Sequence, residues 1–119
     1  MKKALFILLI CISLKGYSQD TISTAKVMQY VGKEVWVRGT VASVKLATDE
    51  NNVNYINVDK AFPQNIFTVV ITSKYLQRLK LNLATAKGKH IFVKGTILTN
   101  DKDNSQVPQI FNPTQIQIK

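Results

Sequence analysis

The sequence predicts an all-β domain with minor helix: a five-stranded barrel carrying a short N-terminal helix and a second helix between strands three and four. Three observations carry that expectation. Segments 34–45 and 90–98 are rich in β-branched residues and alternate apolar with polar side chains, the pattern of strands buried on one side. Each holds an internal glycine, Gly39 or Gly95, where a strongly coiled strand bends or bulges. Leu76, Leu79 and Leu83 recur at helical spacing and fall between the third and fourth predicted strands. With 119 residues there is room for one small domain and no multidomain enzyme.

The chain begins with Lys2 and Lys3, an apolar run from Ala4 to Leu14, and then Gly16, Tyr17, Ser18 and Gln19. This is the plan of a secretory signal peptide spanning 1–19, cleaved near Ser18 or Gln19. The apolar run falls well short of the ~20 residues that a membrane-crossing helix needs. Cys11 follows Ile10 inside that run, which argues against a lipidated cysteine. The expected product is a single domain, 20–119, periplasmic or extracellular, and without cysteine it needs no disulfide. The leader takes three of the 16 basic residues with it, so 13 basic groups face 7 acidic ones, a net charge of about +6.

Within the domain, Thr21 to Gly32 reads as a short helix capped by Ser23 or Thr24, with Ile22, Ala25 and Met28 as one apolar stripe and Val27 and Val31 as another. Strand one, Glu34 to Lys45, turns Val35, Val37, Gly39 and Val41 to one face and Trp36, Arg38, Thr40 and Ala42 to the other. A polar turn, 47–52, leads to strand two, Val53 to Asp59, with Ile56 and Val58 inward and Tyr55, Asn57 and Asp59 outward. Strand three is Phe67 to Ile71, the leucine helix follows, and strand four runs from His90 to Leu98. The last element, Pro108 to Ile118, offers Ile110, Ile116 and Ile118 as apolar positions. Gly32-Lys-Glu-Val-Trp-Val-Arg-Gly-Thr-Val41 and Gly88-Lys-His-Ile-Phe-Val-Lys-Gly-Thr-Ile97 share one template, which suggests neighbouring strands that match Trp36 with Phe92 and Arg38 with Lys94. Five strands with a helix between the third and fourth is the element order of the OB-fold.

Several segments also resemble a known family. They are Tyr55-Ile-Asn-Val-Asp-Lys-Ala-Phe-Pro-Gln-Asn-Ile-Phe-Thr-Val-Val-Ile71, the two glycine-flanked strands above, Pro108-Gln-Ile110 and Pro113-Thr-Gln-Ile116. Together they look like a family of small exported bacterial OB-fold proteins of the Bacteroidetes type. That family is similar to the nucleic-acid-binding OB modules attached to secreted nucleases. The resemblance covers nearly the whole domain and implies an OB-fold and, by analogy, a nucleic-acid ligand.

The residues leave little room for catalysis. Beyond the leader there is one histidine and no cysteine, which excludes catalytic zinc. His90 opens a strand beside Lys89 and reads as solvent-facing. Asp101-Lys-Asp-Asn-Ser105 imitates the start of a calcium loop, but Gln106 and Asn112 stand where glycine and glutamate are needed. Asp49 and Glu50 lie in a turn with nothing to separate their acidities, so no acid/base pair is apparent. The expectation is a non-enzyme with no metal and no cofactor. For binding, the outward face of the first three strands offers Trp36, Arg38, Thr40, Tyr55, Asn57 and Thr68, extended by Lys45, Lys60, Phe62, Phe92 and Lys94. Rings that stack on bases beside cations that neutralise phosphate are how an OB-fold holds single strands. The expected partner is single-stranded nucleic acid or another polyanion. The alternative is a cell-envelope module recognising a protein, peptide or glycan, favoured by the carboxylates Asp49, Glu50, Asp101 and Asp103 in loops that usually rim the OB ligand groove.

Overall fold

The sheet is organised around one long strand, β2 (Glu34–Lys45), whose two halves pair with different partners. The computed structural model describes residues 21–48, 52–99 and 106–119. The expected leader and the four loop carboxylates Asp49, Glu50, Asp101 and Asp103 lie outside the described residues. The N-terminal half of β2 pairs in parallel with β1 (Thr21–Ser23) and antiparallel with β5 (His90–Thr96). Its C-terminal half pairs with β3 (Val53–Val58), which pairs with β4 (Thr68–Thr72), which pairs in parallel with β6 (Gln109–Phe111). On the far side β5 pairs with β7 (Gln115–Ile118), so the order is β6-β4-β3-β2-β5-β7. The two ends of this order are consecutive in the chain. Only Asn112, Pro113 and Thr114 separate them, and reciprocal 2.8 Å hydrogen bonds between Leu98 and Gln109 tie the end of β5 to β6.

The inward faces carry the predicted alternation. Val35, Val37, Val41, Ile56, Val58, Val69, Ile71, Ile91, Val93 and Ile110 form the core with Phe67 and Leu83. Burial of these β-branched side chains is the main force holding the sheet. The glycines sit where no side chain fits: a Cβ on Gly39 would lie 2.4 Å from Val58 Cγ1, and one on Gly95 would lie 2.4 Å from Ile110 Cγ2. Helix α1 (Ser73–Leu79) is capped by Thr72, whose hydroxyl accepts from Tyr75 N, and ends at Lys80 in the left-handed region. Leu83 therefore belongs to a separate 3-10 turn, Leu83–Thr85, and is buried there.

Two expectations need correction here. The short helix expected over Thr21 to Gly32 is a 3-10 helix confined to Thr24–Tyr30, and the residues before it form β1. With three residues per turn, the stripe it lays on the core is Thr24, Val27 and Tyr30, while Ala25 and Met28 face out. Asp59 at φ 69° closes β3 and holds this helix: its carboxylate accepts from Thr24 Oγ1 and, at 2.9 Å, from Thr40 N. The matched template segments are indeed neighbours, but antiparallel pairing reverses one against the other. Trp36 is opposite Lys94 and Arg38 is opposite Phe92, so each ring faces a cation and the aromatic pair is only diagonal.

Candidate binding groove

A break in the alternation of β2 shapes the floor of a groove. Val41 is opposite Val58, and the register then shifts so that Ser43 is opposite Asn57 and Val44 is opposite Ile56. Val58 and Ile56 both point inward, so Val41 and Val44 do too, although they are three residues apart. An extra residue on one strand has this effect, re-aiming every side chain after it. Ser43 and Lys45 are thereby delivered to the outer face beside Asn57 and Tyr55. The sequence suggests a bend or bulge at Gly39, but the bulge lies beyond it, between Val41 and Ser43.

Over this outer face the connection 61–67 and the segment before β6 leave a groove of about 670 Å³, within the range of ligand sites. Ser43, Val44, Lys45, Tyr55, Asn57, Phe62, Pro63, Asn65, Thr68, Val107 and Gln109 line it. Its floor is polar and buried: Asn57 is 5% exposed and Thr68 6%. Asn65 Nδ2 donates to Thr68 Oγ1 at 2.8 Å, Thr68 Oγ1 donates to Asn57 Oδ1 at 2.9 Å, and Asn57 Nδ2 donates to Ser43 Oγ at 2.9 Å. The walls are largely apolar, with Phe62 at the rim, 76% exposed, and Lys45 exposed beside Tyr55.

The nine predicted contact residues therefore separate. Lys45, Tyr55, Asn57 and Phe62 meet in the groove, and Asn57, expected on an open surface, is its buried floor. Trp36, Arg38, Phe92 and Lys94 lie together on the outer face of β2 and β5, away from it. There Arg38 Nη1 donates to the Thr21 carbonyl at 3.4 Å, Lys94 Nζ is 4.0 Å from Glu34 Oε1, and Lys119 Nζ sits 5.8 Å from the Phe92 ring centre. Lys60 is exposed beyond Asp59 and lines neither surface. Ser43, Asn65, Val107 and Gln109 were not legible as site residues, because a bulge and two loops place them. Among the described residues no three His, Cys, Asp or Glu gather to hold a metal, and no helix is long and apolar enough to cross a membrane.

No protein-family model and no curated protein matches the chain. Solved structures do. The OBody AM3L15, bound to hen egg-white lysozyme, matches with a TM-score of 0.60 and 22% identity over 83% of this chain and 92% of that one. The fold is OB-like. The yeast Stn1 and Ten1 structure matches at TM-score 0.58 and 12% identity, covering 83% of this chain and 62% of that one. An aspartyl-tRNA synthetase from Entamoeba histolytica matches at 0.53 and 16%, over 76% of this chain and 19% of the other. At such identities the likeness is one of fold.

Proposed function

We propose that this chain is an exported, non-enzymatic binding module whose groove takes single-stranded nucleic acid. In this reading β6 and β7 are two halves of one fifth strand, and the strand order closes into a five-stranded barrel. The observation that carries the proposal is the position and lining of the groove. It lies over β3 and β4, the second and third strands of that barrel, which is the face an OB-fold uses for oligonucleotides. It offers Tyr55 and Phe62 for stacking and Lys45 for a phosphate. A net charge of about +6 after removal of the leader favours any polyanion at a distance. A tRNA synthetase among the fold neighbours agrees with such a ligand.

Fluorescence anisotropy against labelled single-stranded DNA, duplex DNA and an unrelated polyanion across a salt series tests this. Single-strand preference is expected to persist at physiological salt. Lys45→Ala is expected to lower the slope of log affinity against log salt by about 0.7, the value for one phosphate contact. Weak binding that is equal for all three and vanishes with salt favours the second reading, an envelope module recognising a protein, peptide or glycan. The OBodies bound to lysozyme support that reading, since there an OB-like scaffold holds a protein.

A further inference from the structure

The outer face of β2, β3, β4 and β6 carries two rows that cross the strands; the first floors the groove, and of the second Lys45 and Tyr55 line it while Val70 and Phe111 lie beyond it. One row is polar: the register sets Ser43 opposite Asn57, Asn57 opposite Thr68, and Thr68 opposite Gln109. Two residues along each strand the second row begins, with Lys45 opposite Tyr55, Tyr55 opposite Val70, and Val70 opposite Phe111. Opposed residues share a face of the sheet. The outer face thus shows hydroxyl, amide, hydroxyl and amide beside cation, ring, aliphatic and ring. Ile110, between Gln109 and Phe111, points into the core, which confirms that its two neighbours point out.

The polar row has more hydrogen-bonding capacity than its internal relay uses. Ser43 accepts from Asn57 and keeps its own O–H to give, Asn57 has a second N–H, and Asn65 at the other end keeps its carbonyl oxygen and one N–H. Burying amides and hydroxyls in a mostly apolar groove costs stability unless they are bonded. Attraction to phosphate alone requires none of them. A few fixed polar groups on an apolar floor are how a pocket orients and selects a planar ligand.

We infer that the polar row reads base edges, making the groove base-selective, and that Phe111 is a second stacking platform; this rests on the nucleic-acid reading of the groove. One base stacks on Tyr55 with its edge toward Ser43, Asn57 and Thr68. Phe111 is two strands away, about 10 Å, and 51% exposed, so it receives a neighbouring base. The single strand then runs across the β-strands, with Lys45 at one end of its path.

Anisotropy of the purified protein with oligo-dT, oligo-dC and oligo-dA of equal length at one salt concentration tests the inference. The best and worst of the three are expected to differ by roughly 5- to 150-fold, the discrimination of one good base contact. Ser43→Ala and Thr68→Val are expected to remove most of that spread, Thr68→Ser to retain it, and Lys45→Ala to weaken all three by a common factor. Phe111→Ala is expected to weaken all three by roughly 5- to 150-fold, the worth of one stacked base. Equal affinities for the three oligonucleotides in the unmodified protein overturn the inference and leave the proposed function standing. So does a spread that survives Ser43→Ala, a half-buried position whose change leaves the core untouched. No single-strand binding at all overturns both.

Discussion

The two halves of β2 display similar side chains to opposite effect. The N-terminal half shows Trp36 and Arg38 on an outer face shared with Phe92 and Lys94, and there each cation has a partner within the molecule, the Thr21 carbonyl or Glu34. Lys119 supplies Phe92 with a further intramolecular cation. The C-terminal half shows Ser43 and Lys45 over a groove whose polar floor keeps unused donors and acceptors. Among the described residues the one ion pair is Lys94 with Glu34, so Lys45 has no carboxylate partner there. Aromatic and basic residue types therefore do not define a site on their own. The two faces differ in that Arg38 and Lys94 have partners within the molecule, whereas Lys45 has no carboxylate partner among the described residues.

The largest expected effect comes from the contact that clamps the halves together. Gly95 on β5 lies so close to Ile110 on β6 that a methyl group would sit 2.4 Å from Ile110 Cγ2. Gly95→Ala overpacks the core and is expected to cost about 1 to 3 kcal/mol, read as a lower midpoint in urea or thermal unfolding. An unchanged midpoint would show that β5 and β6 can part without loss, and the two faces could then move independently.

The comparison itself is tested by paired truncations. Tyr55→Ala is expected to cost roughly 1 to 3 kcal/mol of single-strand affinity, the usual worth of a stacked base. Trp36→Ala is expected to leave that affinity unchanged, since its ring lies outside the groove. The opposite outcome, with folding intact by circular dichroism, would transfer the site to the outer face of β2 and β5.

Much of this architecture was legible from periodicity. Val35, Val37, Val41, Ile56, Val58, Ile91 and Val93 are inward as their alternation requires, because burial enforces a period of two wherever a sheet has one dry face. The helix at Ser73 and the tight glycines Gly39 and Gly95 were also readable. Three features were not. A 3-10 helix differs from an α-helix by a fraction of a residue per turn, and the seven residues 24–30 are too few to separate the two periods. The bulge after Val41 inverts parity without any glycine to announce it. Antiparallel pairing turned an apparent match of Trp36 with Phe92 into two ring–cation pairs. Of the residues expected to bind, Lys45, Tyr55, Asn57 and Phe62 line the groove, while Trp36, Arg38, Phe92 and Lys94 share the outer face of β2 and β5.

The smallest expected effect is the most discriminating for the idea that occupancy silences the outer face of β2 and β5. Glu34 holds Lys94 at 4.0 Å and also accepts from Thr114 Oγ1 at 3.1 Å. Glu34→Gln keeps an oxygen for the threonine and removes the charge. Both partners are partly exposed, with side-chain exposures of 49% and 32%, so the stability change should stay within the roughly 0 to 1 kcal/mol of a surface pair. The consequence for polyanion binding is more telling. A released Lys94 opposite Trp36 restores the ring-and-cation pairing that the groove already presents at Tyr55 and Lys45. If occupancy is what silences this face, the variant should gain affinity for single strands at low salt and show a salt slope steeper by about 0.7. A variant with unchanged slope and affinity would mean that the position of Trp36 outside the groove, and not the spent charge, keeps it from binding.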